Sequence, residues 1–365
     1  MTARRIAINT GGGDAPGLNA VICAAVRAAD RLGYEVYGIR DGFEGILEPA
    51  NYPHGGVVRL TPTMVERIAH LGGTILGTTN RGNPFHRPTL AADGTVAELD
   101  RSDDLLAGIR GHGIDALIAV GGDGSLTIAN RLAAKGLWVV GVPKTIDNDL
   151  EATNVTFGFQ TAVSFATECI DRLHSTADAH RRIMVVEVMG RYAGWIALNS
   201  GVAAGADAIL IPEIPYDLAL LAEHLTARTH ARGYAIVVVA EGAAPRGGAV
   251  TVKHREIGRS DQLGGVGEHV AAELARLTGR ETRTVVLGHL LRGGSPIAFD
   301  RLLGLSFGAA AVRAIAEGRR GVMVALNPPR IDYVALAQAV ERTRLVPVDG
   351  DGVTTARTLG IAFGD

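Results

Sequence analysis

Short β-branched runs alternate with longer amphipathic segments along this chain, the pattern of parallel strands covered on both faces by helices. The runs predict strands over residues 5–10, 116–120, 137–142, 183–188, 208–211, 235–240 and 284–287. The amphipathic segments predict helices over 20–32, 126–134, 163–174, 218–231, 266–277 and 301–316. The fold class is therefore α/β. Ligands in such sheets sit beyond the carboxyl ends of the strands, so the residues that follow each strand carry the most information. The longest polar, glycine-rich stretch, 242–265, holds Arg246, Lys253, Arg255 and Arg259 and reads equally as a lid, an interface element or a surface insertion.

Composition narrows the class without changing that picture. With 47% hydrophobic and 20% charged residues the chain reads as a soluble globular protein, and 365 residues allow two or three domains. A formal net charge of -2 gives no support to a nucleic-acid or anionic-membrane partner. Two cysteines, Cys23 and Cys169, are too few for a disulfide framework or a four-cysteine zinc site, and both read as buried thiols. The first residues run straight into a strand with no leader, and no apolar run reaches the roughly 18 residues of a membrane helix. These features predict a cytoplasmic protein.

Three post-strand segments carry candidate chemistry. In Thr10-Gly11-Gly12-Gly13-Asp14-Ala15-Pro16-Gly17-Leu18-Asn19, the glycines let the backbone approach a ligand, and the following helix offers unpaired N–H groups to an anion. A tight structural turn explains that stretch equally well. Gly121-Gly122-Asp123-Gly124-Ser125 repeats the arrangement and adds Asp123, a hard oxygen ligand suited to magnesium. Its structural alternative is a turn that caps the next helix through Ser125. Pro143-Lys144-Thr145-Ile146-Asp147-Asn148-Asp149 then places carboxylates and a hydroxyl at a neighbouring strand end. There Asp147 can accept a proton from an attacking hydroxyl, Thr145 can bond the moving phosphoryl, and Asp149 can orient its neighbours or assist a metal. An Asp-Asn-Asp helix cap is the alternative. Together the three segments suit phosphoryl transfer to an alcohol.

From near Arg5 to about Arg313 the chain resembles the 6-phosphofructokinase family. The resemblance rests on those three segments and on Val185-Val186-Glu187-Val188-Met189-Gly190-Arg191, Glu281-Thr282-Arg283 and Gly288-His289-Leu290-Leu291-Arg292-Gly293-Gly294-Ser295-Pro296. It implies two Rossmann-like three-layer αβα domains with mostly parallel sheets, residues 1–158 with 291–341 binding donor and magnesium, and 159–290 with 342–365 binding sugar phosphate. It also implies that Asp147 is the general base for the 1-hydroxyl of fructose 6-phosphate, Asp123 the Mg2+ ligand, and Gly13 with Gly121, Gly122, Asp123, Gly124 and Ser125 the donor cradle. Thr145, Asp147, Met189, Gly190, Arg191 and Glu241 match sugar-phosphate contacts, with Arg191 joining Asp147, Thr145 and Asp149 in the catalytic set. His289 and Arg292 match ligands of the 6-phosphate, completed by Arg182 and Arg283 of a neighbouring subunit. That arrangement requires at least a homodimer, and the family suggests a homotetramer.

The donor is read from two positions that disagree. Gly124 leaves room for the α-phosphate of ATP, where pyrophosphate-using members carry Asp. Lys144 follows the pyrophosphate pattern. Because a carboxylate in the α-phosphate space would exclude ATP and a nearby lysine need not, ATP is the expected donor and pyrophosphate the alternative. An arginine that bridges donor and acceptor in many ATP-using members aligns with Asn80, one step before Arg81. Cys23 stands at one basic position of the family's nucleotide-regulated members while Arg27 keeps another, which predicts a weakened or absent allosteric site of that type. The remaining alternatives are a nicotinamide-dinucleotide or lipid kinase sharing Gly-Gly-Asp-Gly, and a non-catalytic sugar-phosphate sensor.

Overall fold

The computed structural model describes residues 4–90, 96–254 and 262–365. Sixteen strands lie among them: β1 Arg5–Thr10, β2 Glu35–Ile39, β3 Val57–Leu60, β4 Arg87–Leu90, β5 Val96–Leu99, β6 Ala116–Gly121, β7 Trp138–Thr145, β8 Phe157–Gly158, β9 Ile183–Val188, β10 Ala208–Leu210, β11 Ala235–Ala240, β12 Val252–His254, β13 Gln262–Leu263, β14 Thr282–Val286, β15 Val322–Asn327 and β16 Arg330–Ala335. An eight-stranded sheet runs in the order β16-β15-β7-β6-β1-β2-β3, with β8 beside β7. Its interior is parallel, and only β3 and β16 pair antiparallel at its edges. A second sheet, β10-β11-β9-β14, is parallel throughout. The small hairpins β4-β5 and β12-β13 stand apart.

Both sheets explain the near-continuous apolar strands, since β6, β7, β9 and β11 are buried along their whole length. One hydrophobic cluster joins them, with Ile6, Ile8, Val186 and Val238 from strands meeting Val21, Ile170 and Phe307 from helices. Helix Leu18–Arg31 packs closely on helix Ala298–Ala316, because Gly304 and Gly308 allow near backbone contact: a side chain on Gly308 would strike the Val21 carbonyl. Helix Leu218–Arg232 begins where the Asp217 carboxylate accepts the Ala219 N–H at 2.8 Å and ends at Gly233 in the left-handed region.

Several boundaries differ from the predicted ones. Strand β7 continues to Thr145 instead of ending at Val142, because Lys144 and Thr145 pair with the two-residue β8. The helix predicted from 126 begins at Asp123 with Gly122 as its cap, so Ser125 lies inside the first turn and caps nothing. The helix predicted over 163–174 spans Phe159–His180. Its start is held by the buried Asp300 carboxylate, which accepts both the N–H and the hydroxyl of Thr161 at 2.6 Å from a distant helix. Strand β14 starts two residues earlier than predicted, and β10 ends one residue earlier. The helices Ser102–Gly111, Trp195–Ala203 and Asp351–Thr358 and the hairpin β15-β16 were not predicted. In the polar stretch 242–265, Arg255 and Arg259 lie outside the described residues.

Candidate active site

The larger sheet reverses strand order at β1, which is flanked by β2 and β6, so a crevice opens beyond the carboxyl ends of β1, β6 and β7. The three predicted segments occupy those ends. The Gly11 N–H bonds the Val120 carbonyl at 2.9 Å, and Gly12, with φ of 77°, donates to the Thr79 carbonyl at 3.0 Å. The Thr78 hydroxyl returns a 2.6 Å bond to the Gly12 carbonyl. This lacing sets Asn80 and Arg81, both exposed, beside the glycine turn. A side chain on Gly11 would meet Ser125 Oγ at 2.8 Å, so the first two loops touch only because glycine is there. A Cβ on Gly124, by contrast, would meet nothing within 4 Å.

Lys144 is 3% exposed, and its ammonium donates to the Gly13 carbonyl at 2.5 Å. Burial pulls the Lys144 pKa down to about 8, helped by Arg292 and opposed by Asp147, Asp149 and Asp14. The next residues form a rigid turn. The Thr145 hydroxyl oxygen accepts the Asp147 N–H at 3.0 Å, and the Thr156 hydroxyl donates to the Thr145 carbonyl at 2.7 Å. Asn148 sits at φ 54°, and its side-chain oxygen accepts the Thr156 N–H at 3.1 Å. Thr156 escaped the sequence reading, which quoted Asn148 within its segment but gave it no part in holding the turn; an Asn tolerates that backbone region well. Oδ1 of Asp147 and Oδ1 of Asp149 are buried without a hydrogen-bond partner among the described residues. Burial, then the Asp147 charge, pushes the Asp149 carboxyl above the usual carboxylate range.

The second sheet supplies the facing wall. Met189, Gly190 and Arg191 follow β9, Glu241 follows β11, and His289 and Arg292 follow β14. Gly190 and Arg191 both have positive φ, 146° and 52°, and the turn is closed by Glu241 Oε1, which accepts the Arg191 N–H at 3.1 Å. Burial raises the Glu241 carboxyl to about 7, against the pull of the Arg191 backbone. Arg191 favours the ionised forms of Asp123 and Asp149, so its positive charge reaches across to both. Asp123 itself lies at the open mouth, its carboxyl raised by partial burial. Arg292 turns toward the loops that follow β1 and β7: it lies 4.0 Å from Asp147 Oδ2 and donates to the Asp14 carbonyl at 3.2 Å. His289 is exposed and lines a cavity of about 660 Å³ with Phe165, Leu290 and Gly293.

The two arginines expected from a neighbouring subunit stand away from this chain's own cleft. Arg182 precedes β9 and Arg283 is the second residue of β14, so both stand at the opposite end of the sheet from Arg191 and Glu241. There both pair with Glu281, at 3.0 and 2.6 Å.

Glycine turns, clustered carboxylates and cations converging between two parallel sheets define a phosphotransferase of small molecules. The phosphofructokinase family pattern matches residues 5–315. The chain is 50% identical to the ATP-dependent 6-phosphofructokinase of Chloroflexus aurantiacus over 99% of this chain and 98% of that one. It is 48% identical to the pyrophosphate–fructose 6-phosphate 1-phosphotransferase of Amycolatopsis methanolica, over 94% and 96%. Among solved structures, phosphofructokinase of Pichia pastoris in the T-state superposes with a TM-score of 0.78 at 31% identity, covering 98% of this chain and 36% of that longer one. This chain belongs to the phosphofructokinase family.

Proposed function

We propose that the protein phosphorylates fructose 6-phosphate at its 1-hydroxyl with ATP as donor, giving fructose 1,6-bisphosphate. The relatives' names support the acceptor but divide on the donor at nearly equal identity, so the choice rests on this chain's own residues. The carrying observation is the open space around Gly124, beside the two glycine loops. A nucleotide's α-phosphate fits there, and Lys144 is engaged with the Gly13 carbonyl instead of filling that space.

The larger sheet, formed by strands from residues 5–158 and 322–335, would hold the donor, and the smaller one the sugar phosphate. Asp147 would take the proton of the attacking hydroxyl, its free Oδ1 offering the acceptor. Thr145 fixes the Asp147 backbone, and Arg191 and Arg292 supply positive charge where negative charge gathers. Asp123, a single carboxylate at a helix start, would hold a magnesium ion together with the donor phosphates. Such an ion, when bound, neutralises charge on the transferring group. The carboxyl of Asp149, raised by burial and then by the Asp147 charge, keeps charge repulsion beside Asp147 low.

The positions of Arg182 and Arg283 support a site completed by a second copy of the chain, at least a homodimer and by family resemblance a homotetramer. Among the described residues no helix is long and apolar enough to cross a membrane, and a cytoplasmic location fits the chemistry.

The deciding experiment measures fructose 1,6-bisphosphate formation from fructose 6-phosphate and magnesium with ATP and with pyrophosphate in parallel. Turnover with ATP alone is expected. Turnover with pyrophosphate alone would assign the donor to Lys144, and silence with both would overturn the reaction. Asp147→Asn is expected to lower kcat by about 10²- to 10⁴-fold with the melting temperature retained; near wild-type turnover would remove Asp147 from its role.

A further inference from the structure

Beyond the hairpin β15-β16, the chain crosses from the larger sheet to the smaller one along residues 341–346. This crossing touches both walls of the cleft within a few residues. On the donor side Thr343 forms an isolated antiparallel bridge with Leu150, the Arg344 N–H donates to the Asp149 carbonyl at 2.9 Å, and Arg344 Nη1 donates to the Asn154 carbonyl at 2.8 Å. On the acceptor side the Arg344 carbonyl accepts Trp195 Nε1 at 3.0 Å, and the guanidinium stacks 4.6 Å from the centre of the same indole. Two residues on, the Val346 N–H donates to Glu213 Oε1 at 2.9 Å. The same carboxylate receives the Gly194 N–H, at 3.0 and 3.2 Å to its two oxygens.

Gly194 closes the Gly190–Ala193 turn that presents Arg191, in which the Ala193 N–H bonds the Gly190 carbonyl at 3.0 Å. A side chain on Gly194 would meet Ile211 first and Glu213 Oε2 at 2.8 Å, so this turn is seated closely on the 211–213 segment that carries the carboxylate. An extended chain covers at most about 3.6 Å per residue, which holds the Arg344 and Val346 anchors within roughly 7 Å. The Asp147–Asp149 turn and the Arg191 turn are thereby tied together by a segment that contributes no side chain to the reacting groups.

We infer that Trp195, Glu213 and Arg344 form a positioning lock that sets the Asp147–Asp149 turn against the Arg191 turn for the transfer step. The lock rests on the site assignment above, because it acts through Arg191. Misplacement of about 1 Å between reacting groups can cost as much as 100-fold in rate, so loss of one anchor is expected to appear in kcat.

The test compares the wild-type protein with Trp195→Phe, which keeps an aromatic ring under Arg344 and removes the Nε1 donor, and with Glu213→Gln as a second variant. Arg342→Ala, which breaks an exposed ion pair with Glu151, is the control. Per folded subunit, Trp195→Phe and Glu213→Gln are each expected to lower kcat about five- to tenfold with the KM for ATP within about twofold, and Arg342→Ala to leave both unchanged. In an Arg191→Ala background the Trp195→Phe loss is expected to vanish, an outcome that mere loosening of the fold would not give. Unchanged kcat in both variants, or a loss that adds in full to that of Arg191→Ala, overturns the lock. Wild-type kcat in Arg191→Ala alone overturns the site assignment itself, and the lock with it.

Discussion

Gly124 and Glu241 show how far single residues carry the chemistry. The donor reading reduces to free space at Gly124, so Gly124→Asp is expected to fold normally, because its new carboxylate meets nothing and sits favourably near a helix N-terminus. On the proposed donor reading the same carboxylate would face the α-phosphate, where like-charge juxtaposition costs several kcal/mol. The kcat/KM for ATP should fall by about 10²-fold or more relative to that for pyrophosphate, since each 1.4 kcal/mol is a factor of ten. An unaltered donor ratio would show that Gly124 does not face the α-phosphate. Glu241 makes a pH prediction. Its folded pKa, about 7, lies above the ordinary 4.5, so the folded state binds the proton more tightly than the unfolded chain. That contribution is complete below about 4.5 and is lost as pH rises through 7, at up to roughly 1.4 kcal/mol per pH unit. Thermal midpoints of the wild type are therefore expected to fall relative to Glu241→Gln between pH 5 and 7.5. Parallel curves would contradict it.

At the scale of elements, the close pairing of helices Leu18–Arg31 and Ala298–Ala316 seats the glycine turn after β1, which leads straight into the first of them. Gly308→Ala forces a methyl against the Val21 carbonyl, and overpacking of this kind typically costs about 1–3 kcal/mol. A clear drop in melting temperature by calorimetry is expected, and an unchanged midpoint would mean that the helices part easily. Strand interiors were legible in the sequence because full burial on both faces leaves an unbroken apolar run: β9 and β11 have the predicted bounds. The errors fell where a distant element set the boundary. Strand β8 lengthened β7 by pairing with it, and Asp300 started helix Phe159–His180 from another part of the chain. Strand β14, half exposed at a sheet edge, also carries a weaker apolar signal than its neighbours.

For the whole molecule, the placement of Arg182 and Arg283 away from the cleft makes assembly a question of activity. If each site borrows them from a second copy, Asp147→Asn and Arg283→Ala should each be nearly inactive alone yet regain activity when mixed under exchanging conditions. One site in each mixed dimer is then intact, which at equal mixing restores about a quarter of wild-type sites. No recovery from a mixture shown to contain heteromers would place Arg283 outside the site. The exposed Leu290, Phe299 and Leu302 lie on the chain near His289, and a copy covering this region would bury apolar surface as well.

The sequence by itself determined the α/β class, the family and the strand ends after which the candidate site residues fall. Those are local matters: apolar runs mark buried strands, and glycines and carboxylates must follow them directly to line a crevice. Only the tertiary structure decided what the groups become together. The Asp147 turn is fixed by Thr156 and Asn148, the Lys144 ammonium is buried against Gly13, and Arg292 is turned toward Asp147. The spacing of the two walls by Arg344 likewise joins residues far apart in the chain. Burial and charge proximity, which shift Lys144, Asp149 and Glu241, are properties of three-dimensional packing, and no spacing along the chain encodes them.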